Sequence, residues 1–403
     1  MLNVWEIKEW ETTEPIALEG IGLDGVQTLQ VTSQKTRWFD VLFQGDSIQL
    51  KACGYVGQCL IPLPNNTLIK LIIRPKIPLN ALMEWWCWSN QLFEMDAPTI
   101  PLDKSYDILE QLMLWLCQRI SQQIKQGLHS SYLRTEQPIH TVRGKLKPLQ
   151  TALSLSQGNV AIHCRFDERT QDTVDNQILL WTLHQCRRWG GLSSRARLSV
   201  AQQYRALQHS ISLKPFTPQE CWSLSYNRQN QSYQPLHQLC GMILSQLSIN
   251  ETLGDTDFPT FMLPMHQIFE DAVANGLKRL LPTDYRLKFQ DPITISNNPY
   301  CVFKPDLVLF HLDDNSPVMV LDTKYKRANT IDSGNLQQVV AYALALGIEQ
   351  AQLIYPEASA TRLDTTIGNI HCQTSSVIMA SPPHQAISDW LHRHITYART
   401  HCA

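Results

Sequence analysis

The chain has 403 residues, of which 43% are hydrophobic and 17% are charged, a globular balance that excludes wholesale disorder. Its formal net charge of −2 excludes a protein that binds a polyanion through its overall charge, and its length suggests two or three domains. Eleven cysteines lack CxxC spacing and no apolar stretch reaches the roughly 18 residues of a membrane span. We therefore expect a cytoplasmic protein without a zinc site, a disulfide framework or a membrane anchor.

Residues 1–100 are predicted to form a β-rich domain. Strand patterns occur at residues 26–31, 46–52 and 68–75, and the last of these is ended by Pro75. The segment carries 7 basic and 11 acidic residues. Because this excess of negative charge repels a polyanion, the segment is expected to contact a protein partner rather than DNA.

Residues 101–260 are predicted to form a mostly helical, basic domain. Helical periodicity marks residues 108–127, 176–189 and 199–211. The stretch from 125 to 205 holds 12 basic and 5 acidic residues, which suits contact with phosphates but also suits a solvated face. Acidic and amide side chains recur at intervals of four residues, at Glu168, Asp172 and Asn176, and they would share one face if this segment is helical. We expect them to form structural hydrogen bonds between domains.

Residues 261–403 are predicted to form a mixed α/β domain. We expect the strands at 299–310 and 317–325 to pair across a turn in a sheet that the nearby helices flank. The expected helices are 265–281, 335–346 and 385–399, and a further strand is expected at 352–355.

The two paired strands carry the residues that point most clearly to chemistry. Asp306 precedes one apolar run, and Asp322 and Lys324 end the other. Side chains in a strand alternate with a period of two, so Asp322 and Lys324 share a face. Two carboxylates at the edge of an apolar sheet are costly unless a cation compensates them, and Mg²⁺ prefers such oxygen ligands. Lys324 would then orient a water or stabilise negative charge on a phosphate.

This arrangement is similar to the core of the PD-(D/E)xK nucleases, whose motif is matched by Asp306 and the Asp322-Thr323-Lys324 triplet. Glu270 lies on a predicted helix where that family often places an additional acid, although it could instead pair with Arg279. Gln338 and Tyr342 match the QxxxY feature of one nuclease branch, although a tyrosine at this spacing is also common in a core. The resemblance implies Mg²⁺, with Mn²⁺ as a substitute, held by Asp306, Asp322 and a water or the Thr323 carbonyl.

The chain also resembles the McrC family, the nuclease subunit of McrBC-type restriction systems, over roughly residues 50–360. The matching segments are Gly54-Tyr55-Val56-Gly57, Ile72-Ile73-Arg74-Pro75-Lys76-Ile77, Gly127-Leu128 with Tyr132, Val142-Arg143-Gly144-Lys145-Leu146, Phe166-Asp167-Glu168-Arg169-Thr170 with Asp172 and Asn176, and Met265 to Glu270. The resemblance implies a multidomain α+β protein: an N-terminal β-rich docking domain, a helical middle domain and a C-terminal α/β PD-(D/E)xK nuclease domain. It also implies that the N-terminal domain docks on an AAA+ GTPase of the McrB type, which recognises modified DNA. Consistent with a separate motor, the sequence has no GxxxxGK[ST] motif.

Two further groups are candidates for partner contacts. Arg143, Lys145 and Lys147 surround Gly144 and would contact double-stranded DNA or the motor, unless they form a solvated face. Arg74 and Lys76 are candidates for docking on the motor. The tryptophans at 85, 86 and 88, with Phe93, are expected to form a core or a partner interface rather than a DNA-stacking surface.

Three functions remain open from the sequence. The first is a Mg²⁺-dependent DNA endonuclease subunit for phage defence. The second is a catalytically idle nuclease-fold adaptor that binds DNA and stimulates the motor GTPase, although an idle core has no need of Asp306, Asp322 and Lys324 together. The third is a nuclease that serves an unrelated motor.

Overall fold

The structure is a computed structural model that describes residues 2–64, 67–92, 108–189, 192–252, 260–294, 302–326, 332–357 and 363–401. The chain divides into two compact units, one of Met1–Ile108 with Thr260–Ala403 and one of Leu109–Pro259. The expected multidomain mixture of helices and sheets is confirmed. None of the helices in the described part combines the length and the hydrophobicity needed to cross a membrane.

The described strands are β1 Leu2–Lys8, β2 Ile16–Ala17, β3 Phe39–Gln44, β4 Ser47–Ala52, β5 Tyr55–Pro62, β6 Leu68–Arg74, β7 Ser131–Ile139, β8 Lys145–Leu146, β9 Ile162–Thr170, β10 Phe261–Pro264, β11 Tyr285–Phe289, β12 Ile293–Thr294, β13 Val302–Phe303, β14 Leu307–His311, β15 Pro317–Thr323, β16 Gln350–Tyr355, β17 Asp364–Ile367 and β18 Ile370–Ser376. The described helices are α1 Leu18–Ile21, α2 Leu23–Thr36, α3 Leu79–Ser89, α4 Ile108–Gln126, α5 Pro148–Ser156, α6 Val174–Arg188, α7 Ser194–Gln208, α8 Pro218–Trp222, α9 Gln234–Thr252, α10 Met265–Leu280, α11 Ser333–Leu346 and α12 Pro383–His401, with a short 3₁₀ helix at Gln231–Tyr233.

The first unit contains a four-stranded sheet that joins distant parts of the sequence. Its strand order is β1-β6-β5-β10, and β10 pairs antiparallel with β5 although some 200 residues separate them in the chain. In β6, Ile69, Leu71 and Ile73 are buried while the intervening residues are not, as expected for a strand with one covered face. The regions predicted as separate N- and C-terminal domains therefore share this sheet, and the three-domain division remains a prediction.

The predicted strand at residues 26–31 is wrong, because this segment belongs to α2. The buried positions are Gly25, Val26 and Leu29, a spacing of one and four residues that places them on one side of a helix. A strand would instead have covered alternate residues. The helix continues until Arg37, which adopts a left-handed conformation with φ of 58°.

The tryptophans of α3 are confirmed as core residues. Trp85, Trp86 and Trp88 are all buried, and the Trp85 indole donates a hydrogen bond of 3.0 Å to the carbonyl of Met379. Helix α3 packs against α10 and α12, and a Cβ atom at Gly276 of α10 would lie 3.0 Å from the Trp88 ring and closer still to the Ile387 side chain of α12. Phe93 lies outside the described residues.

The second sheet of this unit has six strands in the order β11-β14-β15-β16-β18-β17. As predicted, β14 and β15 are neighbours, with Leu307 opposite Leu321 in an antiparallel register. Strand β16 then pairs parallel with β15, which requires a crossover, and α11 provides it and packs on both strands. Because β14 and β15 are antiparallel, the start of β14 lies beside the end of β15 at one edge of the sheet.

The other unit contains the expected helices together with a small sheet that was not predicted. Helices α4 to α9 are accompanied by a three-stranded sheet in the order β7-β9-β8. Glu168 lies in β9, Asp172 in the following turn and Asn176 in α6, so the expected common helix face does not exist. Asn176 is nevertheless structural, because it is fully buried and accepts a hydrogen bond of 2.7 Å from the Tyr233 hydroxyl within this unit.

Candidate active site

The two predicted acidic residues meet at the edge of the six-stranded sheet. Asp306 immediately precedes β14, and Asp322 is the last but one residue of β15. The antiparallel pairing of the two strands brings them together. Asp306 Oδ2 accepts hydrogen bonds from the backbone amide of Thr323 at 2.9 Å and from its hydroxyl at 3.0 Å. Thr323 was predicted to offer its carbonyl to a metal; its amide and side chain hold Asp306 in place.

Asp322 is a buried carboxylate whose nearest positive charge is Lys324. The side chain of Asp322 is only 1% exposed, and the Lys324 ammonium lies 2.7 Å from its Oδ2. Among the described residues, no hydrogen-bond donor reaches Oδ1. Burial and the nearby Asp306 raise the pKa of Asp322 to about 6, against the opposing effect of Lys324. Although burial opposes its charged form, the pKa of Lys324 is raised because Asp322 and Asp306 favour the ammonium.

Glu270 lies on α10 beside these groups. Burial and the negative charge of Asp306 raise its pKa, and the side-chain amide of Gln290 donates a hydrogen bond of 2.5 Å to its Oε1. The backbone amide of Gln290 also donates to the carbonyl of Asp306 at 2.8 Å. Gln290 thus connects two candidate acids, and it was missed because no sequence motif marks a residue between two strands of this kind.

Gln338 and Tyr342 extend the site along α11. The Lys324 ammonium donates to Gln338 Oε1 at 3.1 Å, and the Gln338 amide donates to the Tyr342 hydroxyl at 2.8 Å. Tyr342 is 7% exposed and its ring packs against Phe303 with a centroid distance of 5.5 Å. The ring of Tyr342 is therefore part of the core, and its hydroxyl accepts the hydrogen bond that holds Gln338 beside Lys324; the nuclease interpretation of this pair stays a prediction.

The residues present fit a divalent cation of the magnesium type. No three His, Cys, Asp or Glu side chains form a ready-made metal-binding group within the described residues. Mg²⁺, however, is commonly bound by one or two carboxylates together with waters and substrate phosphates. The buried Asp322 carboxylate, with no donor at Oδ1 and with Asp306 and Glu270 close enough to raise its pKa, supplies the negative charge that such an ion neutralises.

The predicted basic contacts lie elsewhere. Arg143 stacks over the Phe166 ring at 4.7 Å, and Lys145 is exposed on β8. Lys147 and Arg165 both form ion pairs with Glu136. In the other unit, the Arg74 guanidinium forms two hydrogen bonds with Glu6, at 2.5 and 3.2 Å, while Lys76 is partly buried.

Comparison with protein families matches residues 50–356 to the family described as McrBC 5-methylcytosine restriction system component. No curated protein sequence matches the chain. Among solved structures, a half-complex from a tetradecameric assembly of Thermococcus gammatolerans McrB AAA+ hexamers with bound McrC matches at 14% identity and a TM-score of 0.67, covering 97% of this chain and all of that chain. The McrBC complex of the same organism matches at 14% identity and a TM-score of 0.45, covering 70% of this chain and 89% of that chain. At such low identity the first match shows a shared fold, and the second is too weak to show even that.

Proposed function

We propose that this chain, which belongs to the family of McrBC 5-methylcytosine restriction system components, is the Mg²⁺-dependent DNA endonuclease subunit of a cytoplasmic restriction system for phage defence. The observation that carries the proposal is the buried Asp322 carboxylate with Lys324 at 2.7 Å, beside an Asp306 that Thr323 holds in place. Perturbed pKa values in a cluster of this kind are typical of catalytic sites. The arrangement supports the PD-(D/E)xK assignment of the domain.

Each group of the site has a distinct role in phosphodiester hydrolysis. Asp306 and Asp322 would hold Mg²⁺, with Glu270 binding a water beside it. When bound, the ion would supply positive charge next to the phosphate and a more acidic water. Lys324, kept protonated by Asp322, stabilises the negative charge that grows on the phosphate as water attacks phosphorus and one P–O bond breaks. The attacking water loses a proton to solvent, and the leaving oxygen takes one from solvent.

Gln338 fixes the position of the Lys324 ammonium, and Tyr342 fixes the position of Gln338. A side chain of four methylene groups loses much rotational freedom when its end is held at two points. Because Asp322 and Gln338 already restrain the ammonium, little further ordering is needed when a phosphate arrives.

The proposed partner is an AAA+ GTPase of the McrB type that recognises modified DNA. Two observations support it: the family match, and the shared fold with a Thermococcus gammatolerans structure that contains McrB AAA+ hexamers with bound McrC. Arg74 and Lys76 remain the candidates for motor contact, and Arg143, Lys145 and Lys147 the candidates for contact with DNA or with the motor.

The test is nicking of supercoiled plasmid by the chain, alone and with its McrB-type GTPase and GTP, in Mg²⁺ or in EDTA and on methylated or unmethylated DNA. Asp306→Ala should abolish cleavage while assembly with the GTPase and GTP hydrolysis persist. Asp313→Ala is the matched control, because this exposed aspartate lies in the turn between β14 and β15 of the same hairpin.

Cleavage in Mg²⁺ that is absent in EDTA and absent in Asp306→Ala establishes the endonuclease. Stimulated GTP hydrolysis without any cleavage would instead identify a catalytically idle adaptor. Cleavage that persists unchanged in both Asp306→Ala and Asp322→Ala would show that the reaction takes place at another site.

A further inference from the structure

A buried glutamate directly after the first strand of the N-terminal sheet forms a hydrogen bond with the segment that carries Lys324. Glu9 follows β1 directly and its side chain has no exposed surface. Its Oε2 accepts a hydrogen bond of 2.9 Å from the hydroxyl of Tyr325, the residue after Lys324. The two residues are 316 positions apart in the chain, so this contact exists only because the two sheets belong to one compact unit.

Tyr325 also contacts the helix that carries the other candidate acid. Its ring lies 6.1 Å from the ring of Phe269 between centroids, and Phe269 is fully buried on α10 immediately before Glu270. On the other side, a Cβ atom at Gly54 would lie 3.1 Å from the Trp10 ring and 3.9 Å from Tyr325. The Tyr325 ring therefore lies between residues of the N-terminal region and Phe269 of α10.

The surroundings of the two residues determine that Tyr325 is the donor and Glu9 the acceptor of this hydrogen bond. Burial raises the pKa of Glu9 to about 7, although Tyr325 and the positive charge of Lys76 act in the opposite direction. Burial and the neighbouring Glu9 raise the pKa of Tyr325 far above its usual value. The tyrosine hydroxyl therefore keeps its proton at neutral pH and donates the hydrogen bond to Glu9.

We propose that Glu9 and Tyr325 are a positioning pair that fixes the backbone at Lys324, so that the N-terminal sheet takes part in setting the geometry of the active site. This inference rests on the proposed function, because Lys324 is its object. Neither residue touches the reacting phosphate. Their effect passes through the backbone between Lys324 and Tyr325 and through the contact of Tyr325 with Phe269.

The physical reason is the way in which this backbone is held. The Lys324 amide donates to the Ile354 carbonyl at 2.8 Å, which anchors one side of the segment to β16. Strand β15 ends at Thr323, so after Lys324 the tyrosine hydroxyl provides the next tertiary hydrogen bond that the structure describes. A hydrogen bond to a buried, partly charged acceptor is among the stronger ones. Without it, the ammonium of Lys324 would sample positions away from Asp322.

The experiment compares Tyr325→Phe, Glu9→Leu, Glu9→Gln and the double variant Glu9→Leu/Tyr325→Phe in the full chain with its GTPase. Tyr325→Phe keeps the ring and Glu9→Leu keeps the volume, but each removes the hydrogen bond, so each should lower kcat about tenfold with KM changed less than about twofold. The double variant should be no slower than Glu9→Leu alone, because the hydrogen bond between the two side chains is already absent from that variant. Glu9→Gln keeps an oxygen acceptor and should retain most of the activity.

The matched control is Ser375→Ala, which removes a hydrogen bond of 2.9 Å from Trp390 within the same unit but on β18. Its kcat should stay within about twofold of wild type even if its unfolding midpoint falls as far as that of Tyr325→Phe. A second readout is amide hydrogen exchange of residues 319–326 without DNA or metal. Exchange there should be about tenfold faster in Tyr325→Phe than in wild type and unchanged in Ser375→Ala.

Wild-type kcat and wild-type exchange in Tyr325→Phe overturn the inference. A loss of activity in Glu9→Gln as deep as that in Glu9→Leu also overturns it, since the hydrogen bond is retained there. If the wild-type chain cuts no DNA under any condition, the proposed function fails, and the exchange measurement alone decides whether the pair fixes this backbone.

Discussion

The Lys324 ammonium lies 2.7 Å from Oδ2 of Asp322, a carboxylate that is only 1% exposed. A buried charge is tolerated when it is paired, and removal of one partner leaves the other uncompensated. The pair therefore explains how a fully covered aspartate persists next to Asp306, and it makes Lys324 the most informative residue to change.

Lys324→Gln should lower the DNA cleavage rate by at least about 100-fold, because it removes the positive charge that stabilises the negative charge developing on the phosphate. The measurement is single-turnover plasmid cleavage with the GTPase present. Lys326→Gln is the control, since Lys326 lies two residues later and forms an exposed ion pair of 3.3 Å with Asp332. Such pairs contribute little, so this variant should cut at close to the wild-type rate. Equal rates for the two variants would contradict the assigned role of Lys324.

The pKa of Asp322 predicts how stability depends on pH. Its pKa is raised from 3.8 to about 6 in the folded protein, so the folded state binds this proton more tightly than the unfolded chain. The resulting stabilisation is complete below pH 3.8 and is lost as pH rises through about 6, with a size of at most about 3 kcal/mol. Asp322→Asn cannot titrate, so its urea midpoint relative to wild type should rise between about pH 4 and about pH 7.

Glu9 and Asp271 also have raised pKa values, about 7 and about 6, and they give slopes of the same sign. Both are unchanged in Asp322→Asn, so their effects cancel when the variant is compared with wild type. Parallel pH profiles for wild type and Asp322→Asn would show that Asp322 does not hold its proton in this range.

Stabilisation by a bound divalent cation should increase with pH, opposite to the stabilisation that comes from the proton on Asp322. The ion competes with a proton for Asp322, so Mn²⁺ or Mg²⁺ at about tenfold above its dissociation constant should raise the unfolding temperature by roughly 2–4 °C at about pH 7.5. At about pH 5 the shift should largely disappear, because Asp322 is protonated. Differential scanning fluorimetry measures both, with a metal-free EDTA buffer as the reference. A shift of the same size in Asp306→Ala would place the ion at a different site.

Gln338→Ala should reduce cleavage about tenfold, because it removes the acceptor that holds the Lys324 ammonium. Tyr342→Phe should have a smaller effect, since it removes only the hydroxyl that bonds Gln338 and keeps the ring in the core. Gln337→Ala is the matched control: it is the adjacent residue on α11 and is also exposed. Dissociation constants for DNA should be unchanged in all three variants, and a drop in affinity rather than in rate would assign Gln338 to DNA binding.

Arg143→Glu and Lys145→Glu should weaken DNA binding and reduce its salt dependence by about one unit of slope for each phosphate that is no longer neutralised. Lys147→Glu is less informative, because it also breaks the ion pair with Glu136. Arg195→Glu, on the exposed start of α7 in the same unit, makes the same charge change and should leave the slope unchanged. An unchanged slope in the first two variants, together with weaker stimulation of GTP hydrolysis, would assign this turn to the motor.

The sequence by itself predicted those parts of the candidate site that local rules govern. A strand repeats every two residues and a short turn makes neighbouring strands pair, so the juxtaposition of Asp306, Asp322 and Lys324 could be inferred without a structure. The same holds for Gln338 and Tyr342, which one helical turn places together. The same kind of reasoning failed at residues 26–31, because Leu29 and Val31 fit an alternating pattern while Val26 and Leu29 fit a helical one. In so short a window only burial distinguished the two patterns.

Only the tertiary structure decided which distant residues support that site. Thr323 holds Asp306, Gln290 bonds Glu270, and Glu9 reaches Tyr325 from the far end of the chain. The pairing of β10 with β5 likewise joins two regions that composition had separated. Such contacts follow from how sheets and helices pack, and no local periodicity encodes them, since the free energy that selects them comes from burial of side chains drawn from the whole unit.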